Sequence, residues 1–179
     1  AKVMVPWYDE MGVRKHAPAY HVRHYINKGD EAGPRFTWDL PRGTALRPYG
    51  VWMLQDFLDT AESQAMRAYV FITESELDAA TFCLHGVPAV ATGGAIGWRK
   101  DWAPFFARFR TIVLAQEPGN AGREFVRRAG ADLIHQFSQP TDEAGDEGSE
   151  VVVCPFPEGA KDANALHLRV SGDTARFQQ

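Results

Sequence analysis

The sequence predicts an α/β protein, a mainly parallel sheet flanked by helices, preceded by a small mixed α+β basic subdomain. Three observations carry this. A continuous apolar run at 69–73 reads as a strand covered on both faces, and further strands follow at 111–115 and 150–154. Segments with helical apolar spacing alternate with those strands, which is the pattern of βα units. Ahead of residue 69 the pattern differs, with period-two alternation and an excess of basic residues.

Taken in order, residues 20–26 (Tyr-His-Val-Arg-His-Tyr-Ile) alternate apolar and basic side chains, as a half-buried strand does. Residues 35–38 read as its hairpin partner, across a loop at 28–34 that holds two glycines and a proline. Residues 51–66 have helical spacing, with Leu54, Phe57, Leu58 and Ala61 on one face. After the strand at 69–73 comes a helix over 75–85, striped by Leu77, Ala80, Thr81 and Leu84 and stopped by Gly86. A short strand at 87–91 leads into the turn Thr92-Gly93-Gly94. Asp101 is placed to cap a helix reaching Phe109. The strand at 111–115 is followed by a helix that opens at Gly119 or Asn120 and runs to about Arg128. Residues 138–150 are acidic, lack large apolar side chains and carry Pro and Gly, as a flexible loop does. The strand at 150–154 and a helix over 162–169 complete the pattern. The expected division is a basic subdomain at 1–68 and an α/β domain at 69–179.

Composition narrows the function. The chain of 179 residues is 45 % hydrophobic, enough for a core without disulfides or structural metal. It has no apolar run of 18 residues, and the opening Ala1-Lys2-Val3-Met4-Val5-Pro6 is too short and polar for a secretory signal. Cys83 and Cys154 have neither zinc spacing nor a disulfide framework, and both sit in apolar surroundings. No membrane association and a cytoplasmic location are therefore expected. The net charge of −4 argues against a strong duplex binder. The charge is nevertheless uneven. Residues 11–50 hold seven basic and three acidic side chains, whereas 70–179 hold ten basic and fifteen acidic. That is either surface scatter or a polyanion groove beside a metal-binding site.

In α/β sheets, chemistry gathers beyond the carboxyl ends of the strands. Glu74 directly follows the strand at 69–73, Glu117 lies two residues past that at 111–115, and Asp162 follows the turn after 150–154. A lone strand-end carboxylate is commonly a helix cap, but three together suggest a Mg²⁺ or Mn²⁺ site, since converging carboxylates need a cation to stay ionised.

Three blocks then become specific. Val70-Phe71-Ile72-Thr73-Glu74-Ser75-Glu76-Leu77-Asp78-Ala79 resembles the first TOPRIM motif, a strand followed by Glu-Gly-Glu-x-Asp-Ala. Val113-Leu114-Ala115-Gln116-Glu117-Pro118-Gly119-Asn120-Ala121-Gly122-Arg123 resembles the second, a strand followed by Asp-x-Asp-x-Ala-Gly-Arg. Pro157-Glu158-Gly159-Ala160-Lys161-Asp162-Ala163-Asn164 resembles the Pro-x-Gly-x-Lys-Asp-Ala-Asn segment of phage and bacterial DNA primases. Upstream, Pro6-Trp7-Tyr8-Asp9-Glu10-Met11-Gly12 is similar to the opening of the primase polymerase core, and Arg35-Phe36-Thr37-Trp38 and Pro48-Tyr49-Gly50-Val51-Trp52 to its basic hairpin and Tyr-Gly segment. The likeness covers residues 4–169 and is most specific over 70–164.

The resemblance implies a TOPRIM fold and metal-dependent synthesis of short RNA primers on single-stranded DNA, in phage or plasmid replication. Glu74, Glu117 and Asp162 would hold Mg²⁺ or Mn²⁺, with Glu74 as general base or ligand. Arg23 and Arg35, followed by Lys28 and Lys161, would hold template or nucleoside triphosphate. The family's zinc-binding template reader and helicase have no counterpart in these residues, so a separate zinc-binding domain and a replicative helicase are the further partners implied. The sequence also departs from the pattern. Gly119 stands at the second aspartate, Glu117 at the first, and Ser75 at a glycine. Gly119 supports a second expectation, a catalytically impaired TOPRIM module that binds nucleic acid or a replication partner. A TOPRIM nuclease is the third, and the primase-like front half counts against it.

Other side chains have plainer readings. His21 and His24 fall on opposite faces of a strand, a poor metal pair. Trp98, Trp102, Phe105 and Phe106 suit either base stacking or a core. Thr92-Gly93-Gly94 suits either a phosphate cradle or a simple turn.

Overall fold

A computed structural model describes residues 3–8, 19–24, 36–42, 44–54, 69–137 and 149–179. Strands β1 (Val3–Trp7), β2 (Ala19–Arg23) and β3 (Phe36–Asp39) form an antiparallel sheet in the order β1-β2-β3. Strands β4 (Tyr69–Thr73), β5 (Ala89–Ala91), β6 (Thr111–Gln116) and β7 (Glu150–Pro155) form a parallel sheet in the order β5-β4-β6-β7. Helices α1 (Glu76–Leu84), α2 (Asn120–Phe137), α3 (Ala163–Arg169) and the single turn α4 (Thr174–Phe177) complete it, with a 3-10 helix over Lys100–Arg108. The α/β class and parallel sheet agree with the sequence reading.

The runs at 69–73 and 111–115 become strands because both of their faces are covered, whereas β7 is an edge strand and leaves Val153 43 % exposed. Val70, Ile72, Ile112 and Leu114 meet Phe125, Ala129 and Leu133 of α2 together with Trp102 and Phe106. The same core takes in Trp7, Ala19, Val51 and Leu54, so both sheets close over one interior. On the opposite face Phe71 packs with Phe82, Ala163, Val170 and Phe177. Tyr49 exchanges backbone hydrogen bonds with Ala91 at 2.8 and 2.9 Å, which ties the segment ahead of residues 51–54 to the β5 edge. Gly50, at φ +90, lets that segment approach; a Cβ there would stand 3.2 Å from the Ala89 carbonyl oxygen.

Several boundaries differ from expectation. In β2 both His21 and Val22 are buried, so the strict alternation is broken. The region after Arg99 is a 3-10 helix with no side-chain cap, and Asp101 instead pairs with Arg99 at 3.2 Å. Pro104 inside it supplies no N–H for an α-helical ladder. Helix α2 continues to Phe137, past Arg128, because Gly130 does not end it. Gly130 faces Leu114, whose Cδ1 would lie at an ordinary contact distance of 3.5 Å from a Cβ there. Trp98, Trp102 and Phe106 are core residues and Phe105 packs against them, which decides for the core reading of this group. The remainder of the 51–66 helix, the loop at 28–34 and nearly all of the acidic loop at 138–150 lie outside the described residues.

Candidate active site

The site is built from three strand ends. Thr73 closes β4 with its hydroxyl donating to Val90 O at 3.2 Å, and Glu74 follows. Glu74 is only 7 % exposed, and its Oε1 is a buried oxygen without a hydrogen-bond partner. An acceptor left in that state is costly, about 1–3 kcal/mol, unless a cation or water meets it. Burial and the neighbouring Asp78 carboxylate raise the Glu74 pKa.

Glu117 follows β6. Its desolvation, then the negative charges of Glu74, Asp78 and Asp162, push its pKa up to about 7, and the Lys161 ammonium partly offsets them. The backbone turns away at Gly119 (φ +99), and a Cβ there would meet nothing within 4 Å. Gly122 is required for a different reason. A Cβ at that position would lie 1.9 Å from the Glu117 carbonyl oxygen, so only glycine lets the α2 start sit against the Glu117 backbone.

Asp162 caps α3, accepting from Ala165 N at 2.7 Å, with its second oxygen 3.5 Å from Lys161 Nζ. Glu74 and Asp162 thus lie at the same edge as Glu117, which feels the charge of both. Among the described residues, however, no three His, Cys, Asp or Glu side chains stand close enough to hold a metal ion. Asp162 directs one oxygen into its own helix. The donor chemistry still fits a hard divalent cation: the three groups offer only oxygens, one is orphaned, and the shared repulsion at Glu117 is what such an ion relieves.

Asp78 and Glu76 were not singled out from the sequence. Asp78, 3 % exposed, accepts from Ala163 N at 2.9 Å and Asn164 N at 3.3 Å, and receives the Ser75 hydroxyl at 2.5 Å. It therefore fixes the α3 terminus, and with it Asp162, against α1. The Ser75-x-x-Asp78 spacing of a capping box was the available signal, since Ser75 Oγ in turn accepts from Asp78 N at 3.2 Å. Glu76 is buried and ties α1 to the antiparallel sheet. Its Oε1 accepts from Trp7 Nε1 at 3.3 Å, and His21 Nδ1 lies 2.5 Å away. His21 is thus a buried structural residue, and His24 Nε2 lies 2.6 Å from Thr37 Oγ1.

In the turn Thr92-Gly93-Gly94, Thr92 N donates to Thr73 O at 3.0 Å and Gly94 N to Glu74 O at 2.7 Å. Those two donors serve the β4 end, which disfavours a phosphate cradle at these N–H groups. Of the basic candidates, Arg23 stands over Phe36 and Lys161 borders the carboxylates, while Lys28 and Arg35 lie outside the described residues. A cleft of about 1040 Å³ lies on the other side of the sheet, lined by Phe71, Phe82, Phe156 and Phe177; it touches none of the four carboxylates. Among the described residues no helix is long and apolar enough to cross a membrane.

This arrangement, a parallel sheet in the order β5-β4-β6-β7 with acidic groups at its carboxyl edge beside a small antiparallel sheet, is the fold of primase catalytic cores. The Aquifex aeolicus primase, solved with its zinc-binding and RNA polymerase domains, matches with a TM-score of 0.70 at 15 % identity, over 99 % of this chain and 38 % of that one. A DnaG primase catalytic domain bound to single-stranded DNA matches with a TM-score of 0.66 at 19 % identity, over 99 % and 52 %. The primase fragment of the bacteriophage T7 primase-helicase protein matches with a TM-score of 0.59 at 20 % identity, over 99 % and 61 %. In sequence, the Gene 57 protein of Mycobacterium phage D29 is 31 % identical over 80 residues, which are 45 % of this chain and 53 % of that protein. No protein-family model matches the chain. The chain spans about half the length of several of these relatives.

Proposed function

We propose that this chain is the polymerase core of a DNA primase, joining ribonucleotides into short primers on a single-stranded DNA template. The carrying observation is the orphaned, buried Glu74 oxygen at the end of β4, beside Glu117 and Asp162, within a primase-core fold. Residues 69–179 are then the TOPRIM domain and 1–68 the basic, strand-holding part. Glu74, Glu117 and Asp162 would hold Mg²⁺ or Mn²⁺. Bound there, the ion supplies charge neutralisation and alignment for in-line phosphoryl transfer.

The protein's own groups have distinct tasks. The Glu117 carboxyl, its pKa pushed up to about 7, would give up its proton on holding such a cation. Lys161 offsets the acidic edge and faces triphosphate. Asp78 keeps Asp162 in place through the α3 backbone. Arg23, with Arg35 and Lys28, holds the template strand. A zinc-binding domain and a replicative helicase are the expected partners, acting in the cytoplasm.

The test is primer synthesis from ribonucleoside triphosphates on single-stranded DNA with Mg²⁺ or Mn²⁺. Wild type is expected to make short RNA, and Glu74→Gln to lose at least about a hundredfold, the scale of removing one group that stabilises developing charge. Absence of product from a wild-type protein that binds Mn²⁺ and template would overturn the proposal in favour of a binding module.

A further inference from the structure

We propose that Trp7 is a positioning residue for Glu74, fixing that carboxylate through the chain on both sides of it. That Glu74 faces a cation rests on the proposed function. Its placement by Trp7 rests on the contacts that follow.

Trp7 closes β1 and is only 4 % exposed. On one side its indole N–H donates to Glu76 Oε1 at 3.3 Å, and Glu76 opens α1 two residues after Glu74. On the other side the far edge of the ring lies against the turn after β5. A Cβ at Gly93 would stand 3.1 Å from Trp7 Cζ2 and 3.3 Å from Cη2, tighter than side chains ordinarily pack. The next residue, Gly94, donates its N–H to the Glu74 carbonyl at 2.7 Å. One side chain thus spans the two segments that hold the Glu74 backbone, the start of α1 and the Gly93-Gly94 turn.

Each end of this support is itself held. Glu76 is buried, and His21 Nδ1 lies 2.5 Å from the oxygen that takes the indole N–H. The His21 ring lies nearly parallel to Phe36 and Trp38, with centroids 4.8 and 4.5 Å away, and Trp38 meets Trp7 edge-on at 4.6 Å. At the turn, Thr92 N donates to Thr73 O at 3.0 Å and the Thr92 hydroxyl to Gly94 O at 2.9 Å. Glu74 Oε1, by contrast, accepts no hydrogen bond that would orient it, which leaves the backbone to set its direction. Groups that orient a metal ligand without touching the metal typically change affinity by about ten- to a hundredfold.

Trp7 also belongs to the core, so the experiment must separate orientation from plain stability. It uses the full chain and three variants, all held well below their melting temperatures. Trp7→Phe removes the N–H and the far edge of the ring. Glu76→Asp keeps the charge but falls short of the indole, and tests the same link should Trp7→Phe not fold. Leu54→Ala, from the same core, is the control. Amide exchange in EDTA is followed at Gly94 and at Leu114 in central strand β6. Trp7→Phe and Glu76→Asp are expected to speed exchange at Gly94 but not at Leu114. Both should also bind Mn²⁺ about tenfold more weakly, read from the free-ion resonance signal. Leu54→Ala should treat the two amides alike and leave Mn²⁺ affinity unchanged. Equal acceleration at Gly94 and Leu114 in Trp7→Phe and Glu76→Asp would overturn the proposal, as would wild-type Mn²⁺ affinity in both. Absence of Mn²⁺ binding by wild type would sink the metal reading of Glu74 instead, and selective exchange at Gly94 would still uphold the role of Trp7.

Discussion

The Asp78 carboxylate accepts the backbone N–H of Ala163 at 2.9 Å, across 85 residues of sequence. Through this one bond and its companion to Asn164, the helix after the first motif dictates where the third motif sits. Asp78→Ala leaves two N–H groups of α3 without their acceptor in a buried setting, and is expected to lower unfolding stability by about 2 kcal/mol. Asp78→Asn, which retains a carbonyl acceptor, is expected to lose less than about 1 kcal/mol. Urea denaturation of the three proteins checks this, and equal loss for both variants would contradict it.

Glu117 sets a pH dependence whose sign can be worked out. Its folded value of about 7 lies above the ordinary 4.5, so the folded chain binds more protons than the unfolded chain between those values. The stability it contributes is fully present below pH 4.5 and is lost as pH rises through 7, by up to about 3 kcal/mol. In EDTA, Glu117→Gln should gain on wild type as pH goes from 5 to 8. Thermal unfolding across that range is the measurement; a constant difference between the two proteins would refute it.

Divalent cation should reverse that loss. At pH 8, Mn²⁺ at ten times its dissociation constant is expected to stabilise wild type by about 1.4 kcal/mol. The same addition should leave Glu74→Gln and Glu117→Gln nearly unmoved. Melting curves with and without Mn²⁺ decide it, and an equal shift in all three would place the ion elsewhere.

Gly119→Asp restores the carboxylate that the second motif lacks. The position is open, but its φ of +99 is unfavourable for any residue with a side chain. A cost of about 1 kcal/mol is expected in EDTA, together with tighter Mn²⁺ binding. Calorimetric titration of Mn²⁺ reads the second effect; unchanged affinity would exclude this turn from the metal environment.

Gly122→Ala should be worse than either of these. A methyl 1.9 Å from the Glu117 carbonyl oxygen forces the α2 start and the Glu117 backbone apart. The expected loss is about 1–3 kcal/mol, with Mn²⁺ binding weakened in parallel. Denaturant midpoints check the first part, and a fully stable variant would show that the turn can yield.

The sheet was legible because β4 and β6 bury both faces and so read as unbroken apolar runs. The end of α2 was not, because the helix continues through Gly130, which is buried against Leu114, as far as Phe137. Glu74, Glu117 and Asp162 could be placed from their positions after strands. The groups that organise them were harder to see, because their partners are remote: Glu76 meets His21 across 55 residues and Trp7 across 69. The rings of Trp98, Trp102, Phe105 and Phe106 suit either stacking or a core by sequence, and burial decides for the core. Phe36 and Trp38 look unremarkable in sequence, since only the register of β2 on β3 brings both against His21.

The backbone exchange between Tyr49 and Ala91 bears on how the molecule comes apart. It adds a rung to the β5 edge from chain that precedes residue 69, and Val51 and Leu54 then sit in the interior that α2 covers. A fragment beginning at residue 69 would bare that rim and leave the Ala91 amide and carbonyl searching for water. The two sheets are therefore expected to melt in one cooperative transition.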